Sequence, residues 1–450
     1  MPLSDKDNLH RIAIVGGGAG GLALAARLGR KFRRDPSTEI LLLDKTPTHL
    51  WKPLLHEVAT GSLDSHHDQV SYINLARKHG FRFLLGELAA IDASAKTLSV
   101  KQISTAGELP TEIRKIDYDQ AVLAIGSLSN DFGTRGVAQH AHMLDHQIQA
   151  EKFHQLLVTR LHQTNREVSD TANQSDGNDP LPELAVTIVG GGATGVELAA
   201  DLHNVATQLE SFGFTYINPE TLSITVLEAG PRLLAQLPER ISHSVLQELG
   251  NIGVDVHTDT LVTEVTEAEV HTQDGKHYPA DLCVWAAGIR APEILADSGL
   301  ETDKAGRVIT TRYLNLEAHP DTFFIGDCGH CPMDTADGSE ASVPPRAQSA
   351  HQMCGLTYKN LLRQRKNQAL KAFRFQDYGS LVSLSEYSTV GSLMGNLMRG
   401  TLFVEGALAR LIYRALYRRH QMAVHGMFAT GLIMIGDRIH EATHSHLKLH

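Results

Sequence analysis

Four cysteines in 450 residues, none before Cys283, are too few for a disulfide framework and point to a reducing compartment. No run of about 18 or more consecutive apolar residues occurs, so a membrane-spanning helix is not expected. Long basic runs are missing too, and the net charge of −10 argues against nucleic acid as a partner. Residues Met1 to Asp7 lack the basic-then-apolar order of a secretory leader, so the chain is expected to stay in the cytoplasm. One C-x-x-C, Cys328 and Cys331, has neither a second pair nor histidines at metal spacing. No metal is expected there, and both cysteines read as structural thiols. The apolar and charged fractions that remain are those of an ordinary globular protein, long enough for two or three domains.

What is present is a glycine-rich turn that occurs twice. Ile12 to Val15 runs into Gly16, Gly17, Gly18, Ala19, Gly20 and Gly21; Val186 to Val189 runs into Gly190, Gly191, Gly192, Ala193, Thr194 and Gly195. Each copy is a β-branched run, G-x-G-x-x-G and an alanine-rich helical stretch, the pattern of a Rossmann turn. Gly16 and Gly190 permit the tight turn, Gly18 and Gly192 let a pyrophosphate approach, and Gly21 and Gly195 let helix pack on strand. The anion then rests at a helix N-terminus. A second strand ends in an acid in both copies, at Asp44 and at Glu228. Either acid suits a ribose 2′-hydroxyl, and Glu228 would repel a 2′-phosphate, so NADH is favoured over NADPH. Two dinucleotide sites in one chain suggest electron passage between them.

The spacing implies an α/β fold of two Rossmann-like dinucleotide-binding domains. Further strand-to-turn signals pair up, Ala121 to Gly126 with Ala124, and Leu282 to Gly288; each reads as a buried strand whose small end leaves room for a cofactor. Phe323 to Ile325 leads into Gly326 and Asp327. Asp327 reads as a helix N-cap or as an acceptor for a ribityl hydroxyl, and the second is favoured because this strand would complete the first domain. The division expected is 1–162 and 291–388 for the first dinucleotide-binding domain, 163–182 for a polar loop, 183–290 for the second dinucleotide-binding domain, and 389–450 for a C-terminal region.

In this order the chain resembles the type II NADH dehydrogenases, single-subunit NADH:quinone oxidoreductases of the two-dinucleotide-binding flavoproteins. Besides the glycine turns, the resemblance rests on Leu50-Trp51-Lys52-Pro53-Leu54-Leu55-His56-Glu57, Val284-Trp285-Ala286-Ala287-Gly288, Ile325-Gly326-Asp327-Cys328, Pro344-Pro345-Arg346-Ala347-Gln348-Ser349-Ala350-His351-Gln352 and Gly379 to Ser385. It implies non-covalent FAD in the first site, NADH in the second, and reduction of a membrane quinone without proton pumping. Hydride transfer would need nicotinamide C4 against the flavin at roughly 3–3.5 Å.

The resemblance also implies roles. Glu197, where the first copy has Ala23, reads alone as a first-turn acid favoured by the helix dipole; in the family such a Glu lies by the nicotinamide. A helix opening near Pro345 would aim its N–H groups at the flavin, with Ala347 small enough to admit the ring. Gln348 would bond the ring edge or the quinone, and His351 and Gln352 would line the same channel, although His351 alone also reads as a packed histidine. Lys52 reads as a cofactor contact or a solvated lysine. Sulfide chemistry would need paired redox cysteines that the spacing does not supply. A soluble electron partner, or a non-catalytic sensor of FAD and NADH, stands as the alternative.

After Val390 the chain turns more basic than acidic. Leu408, Leu411, Ile412, Ala415 and Leu416 form one helical stripe and Arg410, Arg414 and Arg418 another, followed by Val424, Met427, Phe428, Leu432, Ile433 and Ile435. Such a stripe serves a core or dimer face, or a monotopic helix on anionic lipid. With a quinone to reach, a peripheral position on the cytoplasmic face of the plasma membrane is expected, and a homodimer is left open. The histidines His440, His444, His446 and His450 read as a solvated tail.

Overall fold

Runs of Ile, Leu and Val buried on both faces build two parallel sheets, each in its own unit. The computed structural model describes residues 9–103, 112–174, 183–334, 340–384, 388–394, 401–405, 415, 418, 421–422, 424–443 and 447–448.

The first unit takes Met1–Trp51, Gln69–Leu128 and Ile289–Gln376. Its main sheet has seven strands in the order Thr322–Phe324, Gln120–Leu123, His10–Val15, Thr38–Asp44, Arg82–Asp92, Thr97–Gln102 and Ile113–Asp117. The first five are parallel and the last two fold back antiparallel. Phe323 and Phe324 are fully buried, and Phe324 joins Val15, Leu43, Leu123 and Tyr118 in one core. The strand Thr322–Phe324 pairs with Gln120–Leu123, so this sheet is closed by chain that follows the second glycine turn.

The second unit takes Lys52–Asp68, Ser129–Gly288 and Asp377–His450. Five parallel strands run Ala141–His142, Leu282–Trp285, Leu184–Val189, Leu222–Leu227 and Asp255–His257. A smaller antiparallel sheet, Val262–Val265, Glu269–Thr272 and His277–Pro279, packs Val262, Val265, Val270 and Tyr278 onto Val189, Leu227 and Trp285. In both units the glycine strand lies between the acid-ending strand and the strand that leads to Gly126 or Gly288, Gln120–Leu123 in the first and Leu282–Trp285 in the second.

The compact units differ from the expected division at three places. Residues 52–68 and 129–162, assigned to the first domain, belong to the second unit: the helix Leu55–Thr60 packs on the helices Gln147–Gln174 and Ala193–Gln208, and Ala141–His142 pairs with Leu282–Trp285. The polar stretch from Gln163, expected as a loop, is helical through Gln174. Ala150, Phe153, Leu157, Leu161, Thr164 and Val168 form its buried stripe, a helical rhythm that the polar residues between them hide. Residues 175–182 lie outside the described residues. Finally, Ser388–Met394 pairs with Gly379–Leu384 and Thr401–Glu405, so the C-terminal region begins at about 377 rather than 389.

Of the C-terminal arginine stripe, Arg410 and Arg414 lie outside the described residues, as do Leu408, Leu411, Ile412 and Leu416; Arg418 donates to Gln421 at 2.7 Å. The helix Met427–Thr443 is described, and its polarity is reversed. Thr430 is buried, while Met427 and Phe428 are each 82% exposed and Leu432 and Ile435 are also exposed. Among the described residues no helix is long and apolar enough to cross a membrane.

Candidate functional site

The three glycines of each turn divide their work in the same way in both units. Gly16 and Gly190 have φ of +97° and +115°, and a β-carbon there would strike the backbone of Ala124 or Ala286. A β-carbon on Gly21 would sit 1.9 Å from the Gly16 carbonyl, and one on Gly195 would sit 2.0 Å from that of Gly190. Only these close approaches let the helices Gly21–Phe32 and Ala193–Gln208 start directly over their strands. Gly18 and Gly192, by contrast, are exposed and face open space, the cradle a pyrophosphate would fill at a helix N-terminus. Ala19 lies half-buried beside Gly18.

Each acid clasps its turn. Asp44 accepts the Gly17 N–H at 2.5 Å and, through its other oxygen, the N–H and hydroxyl of Thr46. Glu228 accepts the Gly191 N–H at 2.6 Å and, through its other oxygen, that of Gly230 at 2.7 Å. Both carboxylates thus stand fixed at the sheet's carboxyl edge beside the cradle. Tyr72, which no local pattern in the sequence marks, covers Gly17: its hydroxyl donates to the Gly17 carbonyl at 2.9 Å, and burial followed by the Asp44 charge pushes its ionisation well up. It therefore stays a donor.

The rest of the first site is assembled from the closing strands of the first unit. Gly126 and Gly326 have positive φ, and around Gly126 there is open space. Asp327 accepts from Ser127 at 2.9 Å, on a one-turn helix that follows Thr322–Phe324. The helix expected from Pro345 starts at Ala347, because Arg346 is extended (φ −147°, ψ 153°); no side chain caps it. Ser349 instead donates back to the Pro344 carbonyl at 2.6 Å. Its buried face carries Ser349, Ala350, Met353, Cys354 and Thr357, while Gln348, His351 and Gln352 share another. These three are not equivalent. Gln352 commits both ends of its amide to the backbone of Gln376, at 2.7 and 3.0 Å. The buried Oε1 of Gln348 has no hydrogen-bond partner, the mark of a group that waits for a ligand. His351 is half-buried. The open cradle at Gly18 and the open space at Gly126 fit a flavin dinucleotide.

In the second unit, Gly288 (φ +62°) is overlaid by the exposed ring of Phe132, and Trp285 donates to the Asn130 carbonyl at 2.8 Å. Lys52 is exposed, with its ammonium 3.5 Å from Asp145. Glu197 is buried in the second glycine helix, and with Asp201 one turn on it flanks a buried imidazole: His56 Nδ1 lies 3.8 Å from Glu197 and Nε2 lies 3.5 Å from Asp201. Burial pushes His56 down to about 4, with the Pro53 carbonyl working against it. The sequence carried a sign of Asp201, a second acid four residues on in a helix of Ala and Leu. His56 had none.

All four cysteines are free and buried. Burial raises Cys328 to about 12 and Cys331 to about 11, and the Cys328 thiol lies 3.5 Å from the Leu123 carbonyl. Burial thus favours the protonated thiol at both positions.

Residues 10–354 match the family described as pyridine nucleotide-disulphide oxidoreductase. A type II NADH:quinone oxidoreductase of Haemophilus influenzae is 40% identical over 98% of this chain and 100% of its own length. The type II NADH:quinone oxidoreductase NdhA of Mycobacterium tuberculosis is 29% identical over 95% of this chain and 87% of its own. In fold, the chain is similar to NDH2 from Plasmodium falciparum in complex with NADH, with a TM-score of 0.78 over 98% of this chain and 100% of that one at 18% identity. It is also similar in fold to a sulfide:quinone oxidoreductase of Aquifex aeolicus, with a TM-score of 0.70 over 97% and 96% of the two chains at 18% identity.

Proposed function

The chain belongs to the type II NADH:quinone oxidoreductases of the pyridine nucleotide-disulphide oxidoreductase family, and from that premise we propose which of its residues serve each substrate. Its activity is the oxidation of NADH by quinone through a flavin. The flavin, when bound, supplies the group that takes a hydride and releases two electrons.

FAD is the flavin we assign to the first unit. The N–H groups around Gly18 and Ala19 would hold its pyrophosphate, Asp44 its adenosine ribose, and Asp327 a ribityl hydroxyl, with Ala124, Gly126, Gly326 and Ala347 leaving room. NADH is assigned to the second unit, on Gly190, Gly192, Gly195 and Gly288. Glu228 receives its 2′-hydroxyl and repels a 2′-phosphate. Glu197 orients the carboxamide, so that the donor is presented in one register. Gln348 is the residue assigned to the quinone, because its buried Oε1 is uncommitted and can accept from the hydroxyl of the reduced quinol. His351 lines the same face. Gln352 holds the channel wall through Gln376 instead of touching quinone.

The observation that carries this reading is the doubled clasp, Asp44 on Gly17 and Glu228 on Gly191. Its test is anaerobic mixing of the purified yellow protein with NADH or NADPH. NADH bleaches the flavin within the mixing time and NADPH does so far more slowly; equal rates would overturn the assignment of Glu228.

Lipid contact is assigned to the outward Met427, Phe428, Leu432 and Ile435. Exposed apolar side chains in one patch mark a surface that meets lipid or another protein, and a quinone with a long apolar tail is met at a bilayer. We place the enzyme peripherally on the cytoplasmic face of the plasma membrane.

A further inference from the structure

The small antiparallel sheet of the second unit carries, on its outer face, a group of side chains that the quinone reaction does not use. Val270 and Thr272 point inward, so Glu269 and His271 point outward by the two-residue alternation of a strand. His277 is directly opposite His271 on one side, and Glu264 directly opposite it on the other. The register thus gathers two imidazoles and two carboxylates from three strands.

Glu269 bonds both imidazoles, and the same spacing would admit an ion between the three side chains. Glu269 Oε2 lies 3.3 Å from His271 Nε2 and 3.4 Å from His277 Nδ1, and the three ligand atoms all lie within 4.8 Å of one another. A tetrahedral ion with bonds of about 2.0–2.1 Å has edges of about 3.3 Å. The two rings are 4.1 Å apart between centroids and tilted by 56°, so they are not stacked on each other. His271 turns its other nitrogen, Nδ1, toward Glu264 Oε2 at 3.7 Å, and the second oxygen of Glu264 is held by Arg135 Nε at 3.2 Å. A carboxylate behind a ligating histidine fixes its tautomer and orientation.

We propose that Glu269, His271 and His277 bind a divalent transition-metal ion of the zinc class, with Glu264 as the supporting carboxylate. Two imidazole nitrogens and one carboxylate oxygen suit zinc better than magnesium or calcium, which take oxygen ligands. Glu269 and His277 are exposed, which leaves the fourth position to water. The ion would pin two strands, with the third tied in through Glu264, and the inner face of this sheet is part of the second unit's core.

The test uses the full-length, flavin-loaded protein in which His440, His444, His446 and His450 are replaced by Gln, so that the tail cannot bind metal. After chelation, calorimetric titration with Zn2+ should show one tight site per chain. Replacing His271 and His277 by Gln should abolish it with flavin absorbance retained, Glu264→Gln should weaken it about 10- to 100-fold, and His277→Cys should keep it. Undiminished binding in the double His variant would overturn the proposal. Zinc-edge X-ray absorption on the protein with its sheet unsubstituted decides the matter without those variants: two imidazoles in the shell support the site, and oxygen ligands alone refute it.

Discussion

The imidazole of His56 lies 3.5 Å from the carboxylate of Asp201, one helical turn beyond Glu197. A histidine so buried, held down at about 4 against an ordinary value of about 6.5, makes stability depend on pH. Between those values the unfolded chain binds a proton that the folded chain does not. Stability is therefore full above about 6.5 and falls as pH drops toward 4. Thermal unfolding across that window should show the slope, and His56→Gln should flatten it. An equal slope in the variant would show that other groups govern the acid limb.

Two glycines of the second turn should respond in opposite ways to alanine. Gly192 faces open space at a backbone conformation any residue adopts, so Gly192→Ala should fold normally and raise the KM for NADH by about tenfold or more, a cost of about 1.4 kcal/mol. Gly195→Ala would place a β-carbon 2.0 Å from the Gly190 carbonyl, and should cost about 1–3 kcal/mol of stability in the second unit. Flavin content, KM and unfolding temperature together separate the two.

Glu228→Arg removes both acceptors from Gly191 and Gly230 and introduces a cation suited to a 2′-phosphate. NADH use should weaken, discrimination against NADPH should shrink, and the flavin-to-protein absorbance ratio should hold. Loss of flavin in this variant would mean that the two cofactors occupy the opposite pockets.

Gln348→Leu should leave bleaching of the flavin by NADH intact while lowering turnover with a soluble quinone analogue. Its Oε1 is buried without a partner, so folding should not suffer from the substitution. A matched loss in both half-reactions would count against a quinone contact.

For the bilayer, Phe428→Asp with Leu432→Asp is a cleaner test than removing residues 391–450. That deletion would also take away the strand Thr401–Glu405 and Lys448, whose N–H donates to the Gly61 carbonyl at 2.9 Å. The paired Asp variant should no longer sediment with anionic vesicles and should retain NADH-dependent flavin reduction.

Much of this architecture is legible in the sequence because its signals are local. Gly21 and Gly195 are forced by the carbonyls of Gly16 and Gly190 in the same turn, and each acid lies 27 or 37 residues from the amide it holds. The helix Gln147–Gln174 escapes such a reading because its buried stripe is diluted by polar residues on its other faces. His56 and Tyr72 escape it for a different reason: each matters through a partner more than 50 positions away, Asp201 and Gly17, and nothing adjacent in sequence announces it. Gln348 and Gln352 look alike in the sequence, and only the fold reveals that one is engaged by Gln376 and the other is not.

The clasp between Glu228 and two backbone amides has an evolutionary reading. A mutation that merely deletes the acid leaves Gly191 and Gly230 without their acceptor, so the first step toward a phosphorylated donor damages the loop before it gains anything. Loss of the acid alone therefore costs order in the loop as well as selectivity, and a replacement must restore the acceptors of Gly191 and Gly230 to recover a well-formed turn.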